Sequence, residues 1–454
     1  MMPSDLDGFA PSVLARAVRR ASARLRPSRF AAEAGRTRKI LVSSRITGPI
    51  RRLVIAGVAL AAATGFVTLA ALPAQTRRSD PEKTLRFSKK HLFVNPHENA
   101  TVGDLNRDGH LDIVSGAYWY AGPEFVPRTY RPNHLAKEYH RGNSEHVYDV
   151  DADGLPDIIV GGWGVDGIVW YRNPGDSAAE RGRPWEMHEP WEAHVLARTR
   201  GTMEMFALHD YDSDGVPELH SANYRREQPL EVWRFAKDPN QKPVLVPVVL
   251  GAEGGGHGFA WGDVNGDGRE DVLTEIGWYE RPEGDPLARP WKLHTETALP
   301  HPSCPFVVTD LNEDGRLDII FGKGHDIGLY WWEQLPPRSD GTTVWKEHTI
   351  DESWSQAHAL ALADLDGDGG EELIAGKCIW AHSGDDPGAA DPPVIYYYRW
   401  SPAEARFNRH TIAGAADRIA LGRQYSVVDL NQDRRPDLVA PSELGLWVFF
   451  NQGH

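Results

Sequence analysis

A nine-residue pattern, D-x-[DN]-x-D-G-x-x-[DE], recurs seven times in the chain, with one departure from the glycine. The copies supply side-chain oxygens at positions 1, 3, 5 and 9. In chain order these are Asp104, Asn106, Asp108 and Asp112; Asp149, Asp151, Asp153 and Asp157; Asp210, Asp212, Asp214 and Glu218. There follow Asp263, Asn265, Asp267 and Asp271; Asp310, Asn312, Asp314 and Asp318. The last two sets are Asp364, Asp366, Asp368 and Glu372, and Asp429, Asn431, Asp433 and Asp437. Such hard oxygen donors at close spacing suit Ca²⁺, which takes roughly six to eight oxygens at ~2.3–2.6 Å. Glycine at position 6 permits the sharp turn that folds the oxygens around one point. The seventh copy has Arg434 there, and its charge should weaken or abolish that site.

The elements around these loops are strands. An EF-hand would need flanking helices and a Glu at position 12, but position 12 of the sixth copy is Ala375 and the flanks read LDIVSG, PDIIVGG and LDIIFG. Each repeat has an apolar strand before its loop, such as FAWG, FVVT or ALALA, and a second strand after it. An aromatic third strand follows, as at Trp170-Tyr171, Trp278-Tyr279 and Tyr330-Trp331-Trp332. A fourth can be read at Trp291, Trp345 and Phe407, with His294, His348 and His410 at matching places. Four strands in 45–65 residues describe one propeller blade. The last repeat stops after its third strand, LWVFFNQ, while RFSKKHLFV (86–94) precedes the first as an orphan fourth strand. The sequence therefore predicts an all-β, seven-bladed β-propeller over 84–454, closed by an N-terminal fourth strand that leaves no free edge.

These repeats resemble FG-GAP/VCBS repeats, the calcium-loop blades of integrin α-chain propellers and of many exported bacterial proteins. The resemblance implies structural calcium and a scaffold used in adhesion. More weakly, HGFAWGDVNGDGREDVLTEIGWYE is similar to the propeller domain of aldos-2-ulose dehydratases, which are sugar-modifying enzymes.

In such a blade the calcium loops lie on one face, and the residues entering the first strand lie on the other, around the central channel. Six positions before each loop stand Glu98, Asn143, Glu204, His257, Cys304, His358 and Arg423. His97 takes the place of Glu98 if the strand entry is shifted by one. Turns between second and third strands add Trp163, Asp166, Tyr224, Arg225, Lys323, His325, Lys377 and Glu443. A common structural need would put similar residues at this mouth, yet it is polar and different in every blade, as a binding site requires. His257, His358, Glu204 and Glu98 (with His97) are candidate ligands for Zn²⁺. Alternatively, His257, His358 and Glu204 could serve as acid and base in proton abstraction beside a sugar carbonyl. Cys304 and Cys378 fall in adjacent blades, with pairing left open.

The net charge of −15 hides an asymmetry. The basic leader, 1–52, and the apolar run, 53–74, together carry +9, so the remainder carries −24. The run LVIAGVALAAATGFVTLAALP has no charge and follows Arg51-Arg52, which reads as a signal peptide or membrane anchor. A linker, 75–83, would lead to an extracytoplasmic propeller, periplasmic or secreted. Two cysteines exclude a disulfide scaffold or a Cys-rich zinc module, and the acidity argues against a nucleic-acid partner. The expectation is an exported calcium-binding propeller that takes a carbohydrate or an extracytoplasmic protein at its channel mouth. The alternative is a sugar-acting lyase, dehydratase or isomerase using His257, His358 and Glu204.

Overall fold

The computed structural model describes residues 83–454 except 133–134, 137–138, 141, 143, 163–164, 166, 176–189, 200–202, 224–226 and 380–383. The basic leader and the apolar run 53–74 lie outside the described residues, as do Asn143, Trp163, Asp166, Tyr224 and Arg225. Among the described residues no helix is long and apolar enough to cross a membrane.

Seven four-stranded antiparallel sheets follow one another along the chain. They form blades 1 to 7, at 101–129, 144–197, 203–251, 259–294, 307–355, 357–413 and 426–451. First strands of neighbouring blades touch: Val307–Thr309 lies beside both Phe259–Gly262 and Ala357–Ala363. The first strands therefore line a common axis, and the molecule is a seven-bladed β-propeller. Burial follows radial position. Second strands such as Asp157–Gly161 and Asp318–Gly322 are buried along their whole length. They are apolar on both faces because each blade is sandwiched between two others. One such packed layer joins Ile159 and Trp170 of blade 2 to Phe206, Leu219 and Trp233 of blade 3.

The recurring fourth-strand histidines have a packing role. Trp278 stands opposite His294, Trp331 opposite His348 and Tyr397 opposite His410. Their rings stack with centroids 4.0, 4.2 and 4.8 Å apart. The same cross-strand pair is Trp170–His194 in blade 2 and Trp447–His91 in blade 7. In blade 1 the partner of Trp119 is Arg128, whose guanidinium lies 4.7 Å over the ring.

Blade 7 draws on both ends of the described chain. Phe87–Phe93 pairs antiparallel with Gly445–Asn451, from Phe87 opposite Asn451 to His91 opposite Trp447 and, after a bulge, Phe93 opposite Leu446. That strand occupies the fourth place in a sheet whose other members are Ser426–Val428, Asp437–Ser442 and Gly445–Asn451.

Candidate functional site

Because each first strand ends in its acidic loop, all seven loops gather at one end of the axis and the strand entries at the other. The loops share one construction. The position-1 carboxylate accepts backbone N–H groups from positions 5 and 6, as Asp104 does from Asp108 and Gly109. The glycines at position 6 have φ of 83–90°, in the left-handed region. Arg434 takes the same conformation at φ 69° and its N–H still reaches Asp429, so the seventh loop keeps the turn without glycine. The position-9 carboxylate ties the loop to the end of the third strand: Asp112 accepts from Leu105 and Gly122, and Asp437 from Leu430 and Asn451. Burial raises all seven position-9 carboxyls to about 6 or 7.

Arginines that the repeat pattern does not name also enter these loops. In the three copies with Asp at position 3, a third-strand arginine reaches in. Arg172 lies 2.6 Å from both Asp151 and Asp153, Arg234 lies 3.2 Å from Asp212, and Arg399 lies 2.6 Å from Asp366. Where position 3 is Asn in the last three such copies, the arginine comes from position 7 and sits on position 5: Arg269 on Asp267, Arg316 on Asp314, Arg435 on Asp433. The donor set nonetheless fits a hard cation. Ligand oxygens converge in Asp149/Asp151/Asp157, Asp210/Asp212/Glu218 and Asp364/Asp366/Glu372. Asp151 Oδ1 and Asp212 Oδ1 are buried without a hydrogen-bond partner.

At the opposite end, five of the seven strand-entry residues meet. Arg423 Nε lies 2.7 Å from Glu98 Oε2, and its Nη1 2.6 Å from Glu204 Oε1. That Glu204 oxygen is 3.4 Å from His358 Nε2 and 4.0 Å from His257 Nε2. The two imidazole Nε2 atoms are 3.2 Å apart. All five residues are buried, and His358 has no exposure at all. Gly422 allows the closest approach, since a Cβ there would stand 2.1 Å from the Glu98 carbonyl oxygen. Burial alone would raise the Glu204 carboxyl, but Arg423, His358 and His257 together hold it well below the usual range. Burial pushes His358 down to about 3 and also lowers His257.

The remaining candidates divide around this network. His325, on the turn between the second and third strands of blade 5, brings a ring nitrogen within 4.8 Å of those of His257 and His358. Its Nδ1 lies 3.0 Å from Asp386. His97 turns to the neighbouring blade, with Nε2 3.0 Å from Glu145, which Arg131 also holds at 2.9 Å. Cys304 packs with Met205, Ala222 and Phe259, and the Cys378 thiol donates to Glu98 at 3.2 Å. Both cysteines are free. Lys377 is buried and its ammonium donates to Ser355, Gln356 and the Gly388 carbonyl. Lys323 lies over the Tyr330 ring and, with Pro300, His301, His325, Asp326 and Pro387, lines a hollow of about 330 Å³. His325 thus stands between that hollow and the buried histidines.

The FG-GAP-like repeat family matches the chain over residues 210–274 and 310–375. No curated protein matches it. Among solved structures, a crystal structure of BBS1N in complex with ARL6DN, soaked with lead, matches 81% of this chain and 96% of its own. The identity is 12% and the TM-score 0.43. A Photorhabdus luminescens Tc holotoxin pore with the TccC3-D651A mutation matches 81% of this chain and 15% of its own, at 12% identity and TM-score 0.33. Seven blades and the matched repeats make the chain a seven-bladed β-propeller carrying FG-GAP-like repeats.

Proposed function

We propose that the protein is an exported, calcium-stabilised propeller that binds a carbohydrate or an extracytoplasmic protein at the strand-entry end of its axis. One observation carries the reading: a buried charge network, Glu98–Arg423–Glu204–His358–His257, backs an accessible hollow through His325. A volume of about 330 Å³ is at the small end of ligand pockets and suits a single sugar ring, which favours carbohydrate. Pro300 and Pro387 offer apolar walls, while Lys323, His301 and Asp326 offer donors and an acceptor for hydroxyl groups. Glycan-array screening followed by calorimetry tests this. Lys323→Ala and Asp326→Ala should each weaken the sugar found, and binding unchanged by both would overturn the assignment.

Calcium would be held by the loop oxygens at positions 1, 3, 5 and 9, where it would offset buried carboxylates and fix the loops. The unpartnered Asp151 and Asp212 oxygens support this. Export rests on the charge asymmetry and the apolar run of the sequence. The enzymatic alternative, a sugar lyase, dehydratase or isomerase, requires substrate to touch His257, His358 or Glu204. Their side chains are only 0–8% exposed, which favours binding over catalysis.

A further inference from the structure

We infer that His257, His325 and His358 form a binding site for a zinc-class divalent transition metal, with the Glu204 carboxylate as the fourth donor. The three imidazoles come from the entry to blade 4, a turn of blade 5 and the first strand of blade 6, so only the closed arrangement of these blades assembles them.

The geometry is that of a site built for nitrogen donors. With metal–nitrogen distances of ~2.0–2.1 Å, tetrahedral ligands stand about 3.3 Å apart. His257 Nε2 and His358 Nε2 are 3.2 Å apart. The three imidazoles offer nitrogens all within 4.8 Å of one another, so His325 need close by only about 1.5 Å, and it lies on a turn rather than in a strand; Glu204 Oε1 stands 3.4 Å from His358 Nε2 and 4.0 Å from His257 Nε2. For two of the three rings, orientation is set from outside. The Nδ1–H of His257 donates to the Pro302 carbonyl at 2.5 Å, which leaves its Nε2 lone pair facing the other rings. Asp386 accepts from His325 Nδ1 at 3.0 Å, and the same carboxylate oxygen is met by Gln356 at 3.3 Å. A backbone carbonyl and a carboxylate behind the ligating rings are the usual means of fixing the tautomer and raising ligand basicity.

Charge points the same way. Glu98 and Glu204 share one cation, Arg423, so the buried network carries one more carboxylate than guanidinium. Imidazole and carboxylate together select zinc or a similar ion over calcium, which prefers oxygen alone. The set differs from the one expected from sequence. Glu98 is held by Arg423 and Cys378 and His97 by Glu145, whereas Glu204, also held by Arg423, keeps Oε1 within 3.4 Å of His358 and 4.0 Å of His257, so His325 supplies the donor assigned to Glu98 and His97.

The location rests on the ligand-binding reading, but the test uses metal without sugar and so distinguishes the two. Chelator-stripped full-length protein is refilled with excess Ca²⁺ to saturate oxygen sites, then titrated with Zn²⁺ by calorimetry and with Co²⁺ by visible absorption. One equivalent should bind, with the intense visible bands of four-coordinate cobalt. His325→Ala should weaken Zn²⁺ by at least tenfold and abolish those bands; Asp386→Asn should weaken it about 10–100-fold. Should His257→Ala fail to fold, His325→Ala and Asp386→Asn, on the flank of the network, still decide the matter. Failure of the wild type to take up Zn²⁺ or Co²⁺ over Ca²⁺, or wild-type affinity in His325→Ala, overturns the assignment.

Discussion

Replacing Arg423 by leucine removes the single cation between two buried carboxylates. Its guanidinium lies 2.7 Å from Glu98 and 2.6 Å from Glu204, and the side chains are 9%, 4% and 8% exposed, so water cannot substitute for it. Removing one partner of a buried ion pair costs about 3–5 kcal/mol, chiefly because the other charge is left desolvated. Two carboxylates are stranded here, but one can take up a proton, so the loss should lie near the upper figure. At about 2 °C per kcal/mol for a large domain, Tm should fall by about 10 °C. The assay is a thermal scan at fixed calcium and fixed rate, since a chain of this size need not unfold reversibly. Adding Glu98→Gln and Glu204→Gln to Arg423→Leu should recover most of the loss, because a neutral group of similar shape is far less costly to bury than an unpaired charge. A fall below about 2 °C, or no recovery in the triple variant, would refute the claim that paired charge holds this end together.

Chelation with EGTA should lower Tm, since a cation bound only to the folded state at 100 times its Kd contributes about 2.7 kcal/mol per site; an unchanged Tm would count against filled loops. His146 and His220 are held by burial at about 4 and about 3. Unfolded histidine takes a proton near pH ~6.5, so stability is complete above that value and falls toward pH ~4, by up to about 2.7 kcal/mol per unit for the pair. Denaturant midpoints in saturating calcium should follow this, and the His146→Phe/His220→Phe variant should lose much of the slope. Burial raises both thiols well above their ordinary value, so Cys304 and Cys378 should react with Ellman's reagent only after unfolding; rapid labelling of native protein would contradict their placement. His294→Ala and His348→Ala should each cost about 1 kcal/mol through lost stacking while leaving ligand and metal affinity unchanged.

Periodicity made the fold legible. Seven copies of one loop fix where each first strand ends, and that alone places Glu98, Glu204, His257, His358 and Arg423 at a common depth. The contacts among them depend on side-chain reach, which spacing does not carry. Cys304 holds the same place in the repeat yet turns into an apolar cluster, and His97 turns toward Glu145. His325 was visible only as one turn residue among several, because its nearness to His257 depends on how blades 4 and 5 sit together. The loop arginines do carry a sequence signal. Copies with Asp instead of Asn at position 3 are the ones with Arg172, Arg234 or Arg399 on the third strand, a covariation within a single chain. Of the histidines paired with third-strand aromatics, His91 and His194 carry no shared sequence signal, because their flanking residues differ from those of His294, His348 and His410.

The sharing of blade 7 between the two ends of the described chain has a temporal consequence. Ser88 and Gln452, hydrogen-bonded in that sheet, are 364 positions apart. The strand Phe87–Phe93 is therefore made before the other strands of the propeller and must wait, with an open edge, until Gly445–Asn451 has emerged. Unpaired strands invite pairing with other chains, and lysines on such edges discourage it. Phe87–Phe93 carries Lys89 and Lys90, both exposed. Assembly of this molecule is thus a late event with a long-range final step, of the kind that folds slowly. Truncating the chain before Gly445 would leave two strands, Phe87–Phe93 and Asp437–Ser442, without the neighbour that separates them.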